Sequence, residues 1–340
     1  MRPTPPGSPL PGVDELLAGA VVVSIPLAVP FRGITQREAM LLRGPLGWSE
    51  FSPFPEYADE ESARWLLAAV EAGWWGWPDP IRASVAVNAT VPAVPADQVG
   101  SVLARFPGCT TAKVKVAQAG QRLSDDVDRV AAVRDHLGAR AAIRVDANGG
   151  WDLDQARHAL THLSAYDLEY AEQPVAQVAD LARLRILLAA ALVPVLIAAD
   201  ESIRRAADPL LIAREQAADL VVVKVAPLGG VTAALDIVAQ CGLPAVVSSA
   251  LDTSVGIAAG VALATALPRL DHACGLGTVA LLEADVSGAP LRPQNGRLTV
   301  QGARASRADV RADLLERHRA DATTTRHWRA RLQRCRMLLG

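Results

Sequence analysis

The stretch Ala112-Lys113-Val114-Lys115-Val116 shows the pattern from which the architecture of this chain can be predicted. It is a short β-branched run with polar side chains near its end, and similar runs recur with Ala/Leu-rich segments of helical character between them. Eight such strand and helix units within about 200 residues predict a closed (β/α)8 barrel. A doubly wound open sheet is the competing topology, but no GxGxxG motif follows a strand. The predicted strands cover residues 84–88, 112–116, 142–146, 168–172, 195–200, 220–224, 245–248 and, more weakly, 272–277.

Polar residues stand at the carboxyl ends of six of these strands. In a barrel, each interval between them returns the chain to the same rim one strand further round, so we expect the six side chains to converge at one mouth. The six are Lys115, Asp146, Glu172, Asp200, Lys224 and Ser248, and the successive intervals are 31, 26, 28, 24 and 24 residues.

Three of these residues, Asp146, Glu172 and Asp200, are carboxylates on neighbouring strands. Each one alone could be explained as the N-cap of the helix that follows its strand. Together in a dry mouth they would repel one another strongly unless a cation neutralised them. A hard divalent ion with oxygen ligands fits this need, so we expect Mg²⁺, with Mn²⁺ as a substitute.

Lysine is rare in this chain, since only three of the thirty-four basic residues are Lys and all three lie in predicted strands. A buried idle cation is costly, which favours a chemical role over codon bias. Lys115 and Lys224 flank the carboxylates, and an amine beside a divalent cation loses its proton more readily, which suits a general base. Lys113 points to the same strand face as Lys115, where two ammonium groups would lower each other's pKa. A metal and a lysine base together indicate abstraction of the proton α to a carboxylate.

The rest of the chain is predicted to flank the barrel, which we place at residues 81–302. Residues 1–17 are rich in Pro and Gly and are predicted to form a disordered leader. Residues 18–80 mix strand and helix patterns and are predicted to form a small α+β domain, to which C-terminal residues could contribute further elements. Residues 303–340 carry ten Arg and a single aromatic residue, Trp328, which favours a solvated helical segment over an RNA-binding arm.

Composition excludes several classes of protein. A formal net charge of −2 leaves the chain without an electrostatic footprint for nucleic acid or an anionic membrane. The longest apolar runs, residues 186–199 and 255–268, are too short to span a bilayer, and the first residues lack the pattern of a signal peptide. Four well-separated cysteines form no CxxC pair, so neither a zinc site nor a disulfide framework is indicated. We therefore expect a cytoplasmic protein whose partner is a small-molecule carboxylate; its oligomeric state cannot be predicted.

The Lys-x-Lys pair, the three carboxylates and Lys224 resemble the enolase superfamily in its muconate-lactonising subgroup. Further strings resemble the actinobacterial o-succinylbenzoate synthases, which are dehydratases of menaquinone biosynthesis. The match covers about residues 18–297 and leaves both tails unexplained. It implies a modified TIM barrel, (β/α)7β, with an N-terminal α+β capping domain over residues 18–80. The strings are Pro30-Phe-Arg32-Gly, Trp48-Ser-Glu50-Phe-Ser-Pro-Phe-Pro-Glu56-Tyr, Val87-Asn88-Ala-Thr90-Val-Pro and Ser248-Ser249-Ala-Leu-Asp252-Thr253-Ser254-Val-Gly256.

The resemblance also implies a role for each site residue. Asp146, Glu172 and Asp200 would hold Mg²⁺, and Lys115 would remove the α-proton and return it to the departing hydroxyl. Lys224 would stabilise the enolate from the opposite face. The reaction would be syn dehydration of 2-succinyl-6-hydroxy-2,4-cyclohexadiene-1-carboxylate to o-succinylbenzoate through an enediolate. The residues expected to bind the substrate are Lys113, Arg32, Asn148, Ser248 and Ser249. Arg32 and the loop over residues 50–57 of the capping domain would close the mouth and exclude water.

Three other functions are compatible with the sequence. Within the same superfamily, an N-succinylamino acid racemase or another epimerase would use Lys115 and Lys224 as base and acid from opposite faces. A Schiff-base aldolase would use Lys224 as its nucleophile without a metal. A non-enzymatic barrel would only bind a ligand and would need no Mg²⁺. Borohydride trapping separates the aldolase from the others, and Mg²⁺ affinity separates the binding protein.

Overall fold

The computed structural model describes residues 9–31, 33–204 and 208–340. The N-terminal part of the chain forms the small α+β domain that the sequence predicts. Three antiparallel strands pair in the order β1-β2-β3, and one long helix packs beside them. The elements are α1 (Val13–Leu17), β1 (Val21–Phe31), β2 (Ile34–Gly44), β3 (Gly47–Phe51) and α2 (Asp59–Val70).

The predicted leader over residues 1–17 is too long, because Val13–Leu17 form helix α1. Leu16 in this helix is fully buried in the main core, so apolar burial holds the segment in place. The Pro and Gly content of residues 1–12 masked this short apolar pattern. Residues 1–8 lie outside the described part of the chain.

A curled sheet of seven parallel strands, in the order of the chain, forms the barrel. Its strands are buried on both faces, which is typical of parallel strands covered by helices. One further strand, β4 (Ser84–Ala86), precedes the sheet. The seven strands are β5 (Ala89–Val91), β6 (Thr111–Lys115), β7 (Ala142–Asp146), β8 (Leu168–Glu172), β9 (Leu196–Ala199), β10 (Leu220–Val223) and β11 (Ala245–Val247).

The ring closes through a two-residue segment instead of a full eighth strand. Cys274 forms a parallel bridge with Val87, and Gly275 forms one with Ser248. Backbone amides of this segment also donate to carbonyls on both sides. The weak eighth strand predicted over residues 272–277 is therefore present only as this closure, in agreement with a (β/α)7β barrel.

The first predicted strand, residues 84–88, is only partly correct. Strand β4 pairs antiparallel with β12 (Arg297–Thr299), and the first strand of the parallel sheet is β5. Alternating apolar residues indicate a strand but do not identify its partner, so the sequence could not separate these two short strands.

Helices cover the outside of the barrel. They bury Leu, Val and Ala against the strands at helical spacing. They are α3 (Val99–Leu103), α4 (Leu123–Leu137), α5 (Leu153–Leu163), α6 (Val178–Ala190), α7 (Glu201–Arg204), α8 (Leu211–Arg214), α9 (Val225–Leu228), α10 (Val231–Cys241) and α11 (Ser254–Ala266). Among the described residues, no helix has both the length and the apolarity needed to cross a bilayer.

The C-terminal segment returns to the N-terminal domain through α12 (Val300–Ala308), α13 (Ala312–Arg317) and α14 (Ala322–Leu338). Helix α14 packs against α2, and the Trp328 ring meets Phe51 edge to face at 5.7 Å. The expected solvated segment is thus wrong for one face of α14, because Trp328, Arg331 and Leu332 are buried. The predicted boundaries of the domains, 80/81 and 302/303, stay predictions.

Candidate active site

The carboxyl ends of the strands bring the predicted polar residues together. Lys115 is in register with Asp146, and Asp146 with Glu172, so these three side chains lie on adjacent strands at one level of the barrel. Asp200 and Lys224 come directly after β9 and β10. Lys115, Lys224 and Ser248 line one pocket at this mouth.

Ammonium groups lie between the carboxylates. The Lys113 Nζ atom is 3.1 Å from both oxygens of Glu172 and 3.1 Å from Asp146 Oδ2. Lys115 donates to Asp146 at 2.5 Å, and Lys224 donates to Asp200. Lys115 and Lys224 are therefore held by different carboxylates: Lys115 by Asp146, and Lys224 by Asp200.

Burial and mutual charge shift the pKa values of these groups. Burial, with the Asp146 charge, raises the pKa of Glu172 to about 7. Burial would also raise the pKa of Asp200, but the Arg204 and Lys224 charges outweigh it and lower that pKa to about 2. Glu172 and Asp200 thus have very different pKa values although they lie in one mouth, because their charged neighbours differ.

The two lysines of the Lys-x-Lys pair also differ in their pKa shifts. Burial lowers the pKa of Lys115; Asp146 opposes this, and the Lys113 ammonium adds to it. Burial acts the same way on Lys113, but Glu172 and Asp146 outweigh it and raise its pKa. The expectation that both lysines lower each other's pKa is therefore correct in direction for Lys115 and wrong for Lys113, whose two carboxylate neighbours dominate.

The donor set suits a hard divalent cation. Asp146, Glu172 and Asp200 are at most 1% exposed and present only oxygen donors. In residues 9–31, 33–204 and 208–340, no three His, Cys, Asp or Glu side chains converge into a preassembled metal site, since lysine ammonium groups separate the carboxylates. Burial and the Asp146 charge raise the pKa of Glu172, and a divalent cation beside it would favour the charged carboxylate.

Asn148 extends the contacts of Lys115. Its Oδ1 atom accepts from Lys115 Nζ at 2.7 Å, and its Nδ2 atom donates to Glu201 Oε1 at 3.1 Å. Asn148 adopts a left-handed backbone with φ of 47°, which Asn tolerates better than most residues. The predicted substrate-binding residue Asn148 thus lies at the pocket and also contacts Lys115.

Arg204 is a site residue that the sequence reasoning missed. Its guanidinium donates to Asp200 at 3.0 Å, to Glu201 and to the Tyr57 hydroxyl at 2.5 Å. A signal was available, because Arg204 follows Asp200 and Glu201 at i+4 and i+3, the spacing of ion pairs on a helix. Tyr57 belongs to the loop over residues 50–57, which the resemblance implies at the mouth, but nothing in the sequence signalled its contact with Arg204.

The remaining predicted substrate contacts divide into two groups. Ser248 is buried and lines the pocket, and Ser249 lines it too while its hydroxyl lies 2.7 Å from Thr278 Oγ1. Arg32 lies outside the described residues. Phe31, next to it, places its ring 5.4 Å from Lys115 Nζ.

Residues of the N-terminal domain hold the segment that follows Ser248 and Ser249. Arg37 donates to the carbonyls of Ala250 and Leu251, and Glu50 accepts from the backbone amides of Thr253 and Gly256 at the start of α11. Burial and the Asp252 charge raise the pKa of Glu50 to about 7. Glu50 therefore caps a barrel helix from another domain.

Two family models match the chain. Residues 97–304 match the enolase C-terminal domain-like family, and residues 22–73 match the enolase N-terminal domain-like family. The first match alone covers more than half of the chain.

Curated relatives match nearly the whole chain. An o-succinylbenzoate synthase from Thermobifida fusca (strain YX) is 54% identical over 313 residues, which are 92% of this chain and 94% of the relative. An o-succinylbenzoate synthase from Mycobacterium tuberculosis is 55% identical over 292 residues, which are 86% of this chain and 87% of the relative.

Solved structures share the fold at lower identity. A muconate lactonizing enzyme from Pseudomonas fluorescens, in complex with muconolactone, aligns with a TM-score of 0.75 and 20% identity over 88% of this chain and 98% of its own. An N-succinyl Arg/Lys racemase from Bacillus cereus aligns with a TM-score of 0.72 and 18% identity over 89% and 97%. At these identities the likeness shows the fold alone.

Proposed function

We propose a reaction course from the premise that this chain belongs to the enolase superfamily and, within it, to the o-succinylbenzoate synthases. Its activity is accordingly that of a carbon–oxygen lyase. The substrate is 2-succinyl-6-hydroxy-2,4-cyclohexadiene-1-carboxylate, and the reaction is a syn dehydration that serves menaquinone biosynthesis. The observation that carries this proposal is that Lys115 and Lys224 line one pocket from opposite ends of an acidic group.

Asp146, Glu172 and Asp200 would hold Mg²⁺, and Mn²⁺ could take its place. When bound, the ion supplies positive charge that favours the extra negative charge a carboxylate substrate gains as its α-proton leaves.

Lys115 is the proton-transfer residue in this course. Burial and the Lys113 ammonium favour its neutral amine, which can accept the α-proton. The resulting ammonium then returns that proton to the hydroxyl leaving from the same face, which gives syn elimination. Asn148 Oδ1, at 2.7 Å, holds the Nζ atom while it changes protonation state.

Lys224 has a different role, which requires no proton transfer. Its ammonium is held by Asp200 and faces the same pocket. Opposite Lys115, it stabilises the negative charge that spreads over the substrate after the α-proton is lost. Ser248 and Ser249 bind a carboxylate or succinyl oxygen of the substrate beside it.

An N-succinylamino acid racemase is the second candidate function. The observation that favours it is that Lys224, like Lys115, presents an amine to the pocket. In a racemase, both lysines would exchange a proton with the substrate, one from each face. Racemisation therefore predicts a transferable proton on Lys224, whereas dehydration does not.

We further propose that the enzyme is cytoplasmic and acts on a free small molecule. Cys109, Cys241, Cys274 and Cys335 are all buried free thiols, which suits a reducing compartment.

The testing experiment follows aromatic product by ultraviolet absorbance. The purified chain receives the cyclohexadiene carboxylate with Mg²⁺, then with EDTA, then with Mn²⁺ after EDTA removal. We expect product with either metal and none with EDTA. Full turnover in EDTA would contradict the metal role, and racemisation of an N-succinylamino acid without any dehydration would favour the second candidate.

A further inference from the structure

Residues 52–57, here called the wall loop, connect β3 to α2 and form one side of the pocket. Phe54 and Tyr57 of this loop line the pocket together with Trp65 of α2. The three rings contact one another at centroid distances of 5.8 to 6.2 Å. The resemblance implied a loop that closes the mouth, but these contacts describe a packed aromatic surface.

A single arginine from the C-terminal helix holds the wall loop from behind. Arg331 on α14 is 3% exposed. Its guanidinium donates to the carbonyls of Pro53 at 3.2 Å, Phe54 at 2.9 Å and Tyr57 at 2.7 Å. It also donates to Ser62 Oγ on α2 at 2.8 Å, which ties the loop to the helix that follows it.

A second arginine holds the same loop from the barrel side. Arg37 donates to the Ser52 backbone carbonyl and side chain, and its guanidinium stacks 4.5 Å from the Phe54 ring. The loop therefore lies between two buried guanidinium groups that approach it from different elements. Such bracketing fixes a backbone that has no regular secondary structure of its own.

The chemistry of the Arg331 contact is specific to a guanidinium. All four acceptors are neutral oxygens, so the buried charge is stabilised by hydrogen bonds to three loop carbonyls and to Ser62 of α2. A planar fork with several donors can reach diverging carbonyls, whereas a lysine ammonium is a point donor. The loop conformation and Arg331 thus depend on each other.

We propose that Arg331 is a positioning residue for substrate recognition, which holds the wall loop as a fixed wall of the pocket and so sets substrate affinity from helix α14. The substrate portion concerned is the apolar ring of the cyclic carboxylate, which packs against Phe54 and Tyr57. This inference rests on the proposed function for its substrate, but the structural part of it needs no substrate.

The kinetic test compares Arg331→Ala and Arg331→Lys with Arg329→Ala, an exposed position on the same helix. Because the loop binds substrate and the lysines do the chemistry, both Arg331 variants should raise KM about tenfold with kcat changed less than about threefold. Arg329→Ala should match the wild type. Low millimolar guanidinium should lower the KM of Arg331→Ala, which has space for it, and not that of Arg331→Lys.

Hydrogen exchange tests the contact without any substrate. In wild type, amides of residues 52–62 should be protected, and both Arg331 variants should lose this protection while strands β7 to β9 keep theirs. Ser62→Ala, which removes one acceptor, should change KM and protection in the same direction by a smaller amount. If the Arg331 variants do not fold, the Ser62→Ala variant alone serves as the test.

Two results would overturn the proposal. One is unchanged KM and unchanged loop protection in the Arg331 variants, or in Ser62→Ala if only that variant folds. The other is a parallel fall in kcat with lost protection throughout the barrel, which would mean a general structural role. If the wild type formed no o-succinylbenzoate, the proposed function would fail while hydrogen exchange still decided the role of Arg331.

Discussion

Lys115 and Lys224 carry the same functional group in different surroundings. Lys115 has a second ammonium, Lys113, two residues away on its strand face and an amide oxygen at 2.7 Å. Lys224 instead shares Asp200 with Arg204, which is a fixed cation. The two lysines therefore have different charged neighbours, in keeping with the different roles proposed for them.

This difference predicts unequal effects of arginine substitution. Lys115→Arg should reduce dehydration by about 10³-fold or more, because a guanidinium cannot serve as a neutral base. Lys224→Arg should leave measurable turnover, since its charge is kept. Product formation and exchange of the α-proton with deuterated solvent measure the two effects. Substantial dehydration by Lys115→Arg would refute the one-base course.

Asp200→Asn tests the metal-ligand assignment. Removing one ligand charge should weaken Mg²⁺ binding and lower turnover by about 10²-fold or more while the fold is kept. Calorimetric titration with Mg²⁺ and circular dichroism give the two readouts. Asp236→Asn, at an exposed position on α10, is the matched control and should behave as wild type. Equal Mg²⁺ affinity in both variants would contradict the assignment.

Glu169 predicts a pH dependence of stability. Burial would raise its pKa, but the hydrogen bond from His272 and the Arg144 charge lower it to about 2, from an ordinary value of 4.5. A carboxyl with a lower pKa in the folded state stabilises the fold above its unfolded pKa, and this stability is lost as pH falls through 4.5 towards 2.

Glu169→Gln should therefore lower the free energy of unfolding by roughly 1–2 kcal/mol near neutral pH, after allowance for partial solvent exposure, and by less near pH 3. Urea titrations of both proteins across this range measure the difference. A difference that grows as the pH falls would have the wrong sign for this explanation.

At the scale of elements, the barrel is closed by a two-residue segment, Cys274 and Gly275. Gly275 lies between β11 and β4 without room for a side chain, since a Cβ atom there would lie 2.5 Å from Ser248 Oγ and 3.2 Å from Ser248 Cβ. The closing segment and the Ser248 side chain therefore share one small space.

Gly275→Ala should lower stability by about 1–3 kcal/mol through overpacking and should raise KM, because Ser248 must move. Replacing Ser248 by Ala in the same protein removes the nearest clashing atom and should recover part of the stability, although not the lost hydroxyl contact. Thermal unfolding and steady-state kinetics of the two single variants and the double variant give the energetic coupling between positions 275 and 248. Additive losses of stability would argue against this contact.

The sequence predicts those elements whose role follows from a local period. Lys115, Asp146, Glu172, Asp200 and Lys224 could be placed at one mouth because barrel strands recur at a regular interval. The bracketing arginines could not, since Arg37 and Arg331 reach partners up to 278 residues away along the chain. Their surface-like residue type also predicts exposure, whereas the structure buries both.

At the scale of the whole molecule, the N-terminal domain is built from two distant parts of the chain. Helix α14 supplies Trp328, whose ring meets Phe51 and whose Nε1 atom donates to Glu38 at 2.8 Å. Arg334 on the same helix pairs with Asp59 at the start of α2. The fold of this domain thus includes residues that follow the entire barrel in sequence.

Trp328→Ala should lower the free energy of unfolding by about 3–5 kcal/mol, as expected for a buried indole. The loss of packing should affect strands β1 to β3 most. Their backbone amides should exchange hydrogen faster than in the wild type, while the amides of the barrel strands change less. Arg329→Ala, its exposed neighbour, should change stability by less than about 0.5 kcal/mol. A loss below about 1 kcal/mol for Trp328→Ala would show that α14 is dispensable to the domain.

The position of α14 in the chain also affects how the protein is made. On the ribosome, residues of the N-terminal strands emerge first and the barrel next, and both can begin to fold during synthesis. The wall loop cannot receive Arg331 until residues 322–338 have left the exit tunnel. A nascent chain would therefore hold the barrel strands before the wall loop gains its contact with Arg331, so this wall of the pocket is completed after the barrel has been synthesised.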